Sequence, residues 1–372
     1  MFGEHDETNG GPASANGAAP LEAFETAVLP ALRRPPCVVS FSGGRDSSAA
    51  LAVATSVARR EGLEPPVAFT LRFPGAPMTE ENEWQAPVVR HLKLNDWEIR
   101  ELSDEIDLVG QHAAPVLRRH GVLFPYNAFM HKPLLEAARG GSLLSGVGGD
   151  HLFQTWRWRQ HADVLARRAR PVPRDALRLL VWLLSPASVR RHRQRRREWR
   201  RAPTWLRPEP MRLAVEMATD DVAGAPRWWD DWVKWLIRHR ALCAGQWSFG
   251  LLASDTDALL VHPFIDPEFI AAVARAGGRL GLGDRNVAMR SIFGGLLPDA
   301  ALARTTKARF DEAFWGPESR AFARRWDGSA VDGELVDPEA LRAEWLKPVP
   351  NPDSTMLLQS AWLAATARAS SR

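Results

Sequence analysis

Ser42-Gly43-Gly44-Arg45-Asp46-Ser47-Ser48 gathers residue types that can hold phosphate. Adjacent glycines let backbone N–H groups approach an anion closely and take torsions closed to residues with a Cβ. Three serine hydroxyls add donors. Asp46 would repel bare phosphate, but it suits a Mg²⁺ whose other ligands are phosphate oxygens. The stretch lacks the Gly-x-x-x-x-Gly-Lys-Ser/Thr order of a Walker motif, because no lysine follows the second glycine. On these residues alone a glycine turn capped by Ser and Asp stays open, since both are common helix N-caps.

A second stretch, Ser145-Gly146-Val147-Gly148-Gly149-Asp150, has the same character: small residues ending in a carboxylate. If both stretches sit at the ends of adjacent parallel strands, Asp46 and Asp150 could flank one Mg²⁺ shared with a polyphosphate. The other role for Asp150 is a helix N-cap.

The elements needed to place these loops are visible in the pattern. Leu21 to Leu32 reads as a short amphipathic helix. Cys37 to Phe41 is a short apolar run without alternation, as in a parallel strand covered on both faces. A helix follows from Asp46 to Arg60, with Leu51, Ala54 and Val57 at helical spacing and Gly62 as its stop. Val67 to Leu71 is a second strand. The next helix opens at Thr79 with Glu80, Glu81 and Glu83, or begins at Pro87, which disturbs the pattern. Trp97 to Leu102 is a less apolar third strand nearer an edge, Met130 to Ala138 is helical, and Leu143-Leu144 is a short fourth strand. Strands alternating with helices give an α/β, doubly wound parallel sheet, which binds ligands outside the carboxyl ends of its strands. A mostly helical region follows.

The bulk properties set bounds. The chain has 372 residues, enough for about two domains. The expected division is a disordered lead-in and short helix over 1–34, an α/β core over 35–160, and a helical region over 161–372. With 45% hydrophobic and 25% charged residues the composition is that of a globular protein. Met1 to Pro20 has neither a basic start nor an apolar centre, and no run reaches a membrane span. Cys37 and Cys243 are too few for a disulfide framework, which points to a reducing cytoplasm. The net charge is only +4, yet Arg190 to Arg201 reads RRHRQRRREWRR. Nucleic acid, an acidic membrane surface or an acidic peptide would suit that block; a solvated helix face or a flexible insertion is the favoured reading, and nucleic acid is not expected. The tryptophan clusters Trp156/Trp158 and Trp228/Trp229/Trp232/Trp235 read as helix packing rather than as a base-stacking platform.

Phe41 to Ser48 resembles the pyrophosphate loop of the asparagine synthetase family of ATP pyrophosphatases, and Leu144 to Asp150 resembles its second signature. Weaker matches follow in family order at Pro203-Thr-Trp-Leu206, His262-Pro-Phe-Ile-Asp266 and Arg290 to Phe310. The resemblance implies ATP and Mg²⁺ as cofactors, with Asp46 and Asp150 on the metal. It places Phe41, Ser42, Gly43, Gly44, Asp46, Ser47, Ser48, Ser145 and Gly146 against the nucleotide. It also implies an AMP-forming ligase: a carboxylate is activated as an acyl-adenylate, pyrophosphate leaves, and an amine takes the acyl group. Lys307 matches the family's catalytic lysine, with a surface lysine as the plainer alternative.

The departures are equally specific. Family asparagine synthetases carry an N-terminal glutaminase domain with a cysteine directly after the initiator methionine; here Phe2 follows Met1, so the chain is not expected to hydrolyse glutamine by itself. The glutamate usual between the glycines of the second signature is Val147, and the acidic residue usual after its aspartate is His151. Those changes keep the ATP half and alter the acceptor half, which points away from aspartate with ammonia and toward amide closure in peptide or β-lactam natural products. His151 is a candidate base for the amine, with a structural histidine equally open. A tRNA-modifying ATP pyrophosphatase and a non-catalytic nucleotide-binding partner subunit are the other readings. The first is disfavoured because Cys37 and Cys243 do not form the cysteine pair that thiolating members use. Expected partners are a carboxylate substrate and an amine donor; a separate partner protein stays open.

Overall fold

The computed structural model describes residues 17–76, 79, 81–103, 106–154, 156–170, 184–303 and 314–370. Its centre is a five-stranded parallel sheet of order β3-β2-β1-β4-β5. The strands are β1 (Cys37–Ser40), β2 (Val67–Arg72), β3 (Trp97–Glu101), β4 (Ser142–Leu144) and β5 (Leu259–Val261). Val39 of β1 pairs with Ala68 on one side and Leu144 on the other. The chain thus winds outward from β1 to β3, then crosses back to β4. That reversal makes the gap between β1 and β4 the switch point where ligands enter such sheets.

Helices cover both faces, and alternate strand residues show it. Cys37, Val39 and Leu144 pack into one apolar cluster with α1 (Pro20–Leu32) and α2 (Arg45–Glu61), whereas Val38 and Leu143 pack into a second. Central strands therefore read as continuous apolar runs, as expected for a doubly wound sheet. Burial pushes the Cys37 thiol up to about 11, so it acts as a core residue. β3 is exposed along most of its length, as its composition predicts for an edge.

Two expectations are refined. α3 spans Asn82–His91 and runs through Pro87. Pro87 lies in the second turn, so its ring removes only one backbone hydrogen bond. After α4 (Ala113–His120), the helical stretch before β4 divides into a 3₁₀ turn, Ala128–His131, and α5 (Lys132–Ala137). β5 was not anticipated. Leu259-Leu260-Val261 is a short apolar run like β4, but it lies far along the chain among helices and carries no pattern of its own.

The helical C-terminal region is present. Tryptophans do pack helices there: Trp229 stacks on Trp232 at 5.3 Å and meets Trp156 edge-on at 5.5 Å. Most of the arginine block lies on the helix Ala187–Trp199, a largely solvated face tied to the next helix by Arg191–Asp220 at 2.7 Å. Among the described residues no helix is long and apolar enough to cross a membrane.

Candidate active site

The loop after β1 is held from both sides. Phe41 N–H donates to the Phe69 carbonyl at 2.9 Å, and Thr70 Oγ1 donates to the Phe41 carbonyl at 2.7 Å. Gly43 has φ +86°, the left-handed region that glycine enters without strain. Ser47 Oγ donates to the Gly44 carbonyl at 3.1 Å and accepts from Ser42 N–H at 3.2 Å, closing the turn on itself. From outside, Gln85 Nε2 on α3 donates to the Ser42 carbonyl at 3.1 Å, and Arg72 fixes Gln85 through its Oε1. α2 then begins at Arg45, with Gly44 as an N-cap that supplies no side-chain cap. An uncapped N-terminus with its dipole facing the loop suits an anion. Ser48 lies deeper, fully buried, and its hydroxyl has no hydrogen-bond partner among the described residues.

The loop after β4 closes over Asp46. A Cβ on Gly149 would lie 2.3 Å from Asp46 Cγ, and one on Gly146 would lie 2.8 Å from Ser47 N, so only glycine allows this approach. Asp150 sits in the first turn of α6 (Gly149–Gln154). Arg285 joins the two carboxylates: its Nη2 donates to both Asp46 oxygens at 2.7 Å, and its Nη1 donates to Asp150 Oδ1. Beside it Arg45 donates to the Asn286 side chain. Burial pushes the Asp46 carboxyl up to about 6, against the pull of Arg285, with the Asp150 charge adding to the rise. Burial opposes the Arg285 charge, yet the two carboxylates hold its pKa above the ordinary value.

On the far side of the second loop, Ser145 Oγ lies 2.6 Å from His262 Nδ1 and accepts from Val147 N–H at 3.2 Å. Burial, with neighbouring His131, pushes the His262 imidazole down to about 3, and burial alone pushes His131 down to about 4. Val147 packs against the second apolar cluster. Next to Ser42 a cavity of about 150 Å³ opens between the ends of β2 and β3, lined by Leu71, Arg72, Phe73, Glu81 and Gln85 among others.

A model of the family described as asparagine synthase matches residues 21–365. The chain belongs to the asparagine synthase family. No curated protein matches it. Membership makes this asparagine synthase-family chain an ATP-using ligase of the asparagine synthetase type, and enzymes of the family generally take Mg²⁺ with the nucleotide. The residues suit that ion: Asp46 and Asp150 offer hard carboxylate oxygens, close enough to share one guanidinium.

Of the residues expected from sequence, Phe41 to Ser48, Ser145, Gly146 and Asp150 gather at the switch point between β1 and β4. His151 follows Asp150 on α6 and is exposed. Lys307 lies outside the described residues. Sequence reasoning missed Arg285, Gln85 and the pairing of Ser145 with His262. Arg285 stands directly after the helix cap Asp284, where an arginine carries no distinctive signal.

Proposed function

We propose that this chain activates a carboxylate as an acyl-adenylate, releasing pyrophosphate, and passes the acyl group to an amine with release of AMP. The observation that supports it best is the convergence of Asp46 and Asp150 from two strand-end loops onto one buried guanidinium, that of Arg285. Asp46 and Asp150 would hold Mg²⁺, which supplies positive charge for the departing pyrophosphate. The residues of this chain do the rest. The Gly43-Gly44 turn and the uncapped start of α2 bind the leaving phosphates, while Gln85 and Thr70 hold that turn still. Catalysis of this kind is mostly positioning and fixed charge. Lys307 is proposed to neutralise charge on the α-phosphate, and Ser145 and Gly146 to face the adenosine.

The acceptor is proposed to be other than ammonia. With Val147 packed on an apolar cluster, no carboxylate stands at that position to receive a proton from the amine. This supports amide closure in a peptide or β-lactam type of natural product, with His151 as the candidate base. ATP–pyrophosphate exchange across a panel of carboxylates tests the reading. Exchange with one class, AMP as the nucleotide product, and loss of both in Asp46→Ala are expected. Exchange surviving in Asp46→Ala would sink the assignment.

A further inference from the structure

The cation between Asp46 and Asp150 in this structure is an arginine. Arg285 reaches both oxygens of Asp46 with one nitrogen and Asp150 with the other, and the side chain is almost wholly buried. A Mg²⁺ bound by these carboxylates needs an oxygen at about 2.1 Å, on the edges the guanidinium now covers. The two cations thus compete for the same carboxylate edges. The glycines enforce the competition. With Gly149 pressed against Asp46 Cγ and Gly146 against the backbone of Asp46 and Ser47, the Asp46 side chain cannot swing toward β4 to serve both.

We propose that Arg285 is the resident counter-cation of the paired carboxylates: it holds Asp46 and Asp150 in place in the nucleotide-free protein and yields both when a divalent cation enters with ATP. This rests on the reading of those two carboxylates as the metal ligands. An unpaired buried carboxylate such as Asp46 is costly, and the partly exposed Asp150 facing it makes it more so, so without a metal the pair needs a cation of the protein's own. A guanidinium suits the task because its planar fork spans two carboxylates and cannot be deprotonated. Arg285 opens the Arg285–Phe293 helix, and its neighbour Asn286 is held by Arg45 of the phosphate loop. Two adjacent pairs therefore lock that helix to the loop, and displacement of Arg285 breaks one of them.

The competition has a consequence that a purely structural arginine lacks. Removing Arg285 should weaken the metal-free protein yet strengthen its hold on a divalent cation, because a site blocked part of the time binds more weakly by the fraction that is open. Mn²⁺ titration of the full-length, nucleotide-free protein, followed by the electron paramagnetic resonance of free Mn²⁺, reads this directly. Arg285→Gln should bind Mn²⁺ on the order of tenfold more tightly than the parent. It should also melt at a lower temperature without metal and recover with Mn²⁺. Arg285→Lys, whose ammonium is a point charge lacking the planar fork, should fall between the two and provides the comparison if the glutamine variant is insoluble. Mn²⁺ binding equal to or weaker than the parent in the soluble variant overturns the proposal. Asp46→Asn separates the two readings. Loss of Mn²⁺ binding there, with no gain in the arginine variants, rejects the competition alone; unchanged binding in Asp46→Asn rejects the carboxylate pair as the metal site.

Discussion

Gly149 is the residue on which the two loops meet. Its missing Cβ would lie 2.3 Å from Asp46 Cγ, and the atom it would strike is no flexible tip but a carboxylate already fixed by Arg285. Gly149→Ala should therefore cost about 1–3 kcal/mol of stability and remove protection of the fold by Mg-ATP. A thermal shift measured with and without nucleotide checks both parts, and an alanine variant that keeps its nucleotide-dependent shift would contradict the close approach. Glycine-rich strand ends with a trailing aspartate were legible because the residue types themselves are restrictive. Arg285 was not. One arginine after a helix cap looks like any of the chain's many, and nothing local reveals that its guanidinium ends 239 positions away on Asp46.

At the scale of elements, the phosphate loop borrows its rigidity from α3 and from the β4–β5 side of the sheet. Gln85 on α3 is the brace, donating to the Ser42 carbonyl while Arg72 holds its other end. Gln85→Ala removes that donor and should weaken ATP binding by about 1 kcal/mol, roughly fivefold in apparent affinity, with the maximal rate little changed. The β5 side contributes His262, whose partner Ser145 belongs to the second loop. His131 and His262 are held neutral, at about 4 and about 3, against about 6.5 in an unfolded chain. Below about 6.5 the unfolded chain binds protons that the native protein refuses, so the stability from these two groups is whole above that pH and is lost as the pH falls toward about 4. Denaturation midpoints should drop between about pH 7 and pH 5, and by less in His131→Gln/His262→Gln, with about 2 kcal/mol per histidine at stake. Equal slopes in the two proteins would mean that other groups carry the acid sensitivity. None of this was legible beforehand, because the burial of a histidine depends on which strand lies beside it, and β5 has only three residues with which to announce itself.

Over the whole molecule, the first and last thirds of the chain share one core. Phe24 of α1 is fully buried and meets Phe264, Phe269 and Phe293 edge-to-face, with ring centroids 4.8, 5.0 and 5.1 Å away. Phe24→Ala should destabilise the protein by about 3–5 kcal/mol, far more than expected for a helix at the margin of a domain, and a urea titration would measure it. A loss below about 1 kcal/mol, the range of an ordinary surface substitution, would show that α1 is peripheral. The winding of the sheet around β1 was legible from alternating elements. The dependence of that core on distant aromatics was not, since periodicity reports a buried face but never what it is buried against.

The ion pair between Asp46 and Arg285 also sets a timetable for the protein's synthesis. A ribosome adding about 5–20 residues per second needs roughly 10–50 s to pass from the phosphate loop to its counter-charge. For most of that interval the nascent chain carries a carboxylate meant for burial without the guanidinium that holds it, and a Phe24 whose three ring partners have not been made. Four of the five strands are made by residue 144, yet the core around Phe24 and the charge balance of the site are complete only when the final third of the polypeptide arrives.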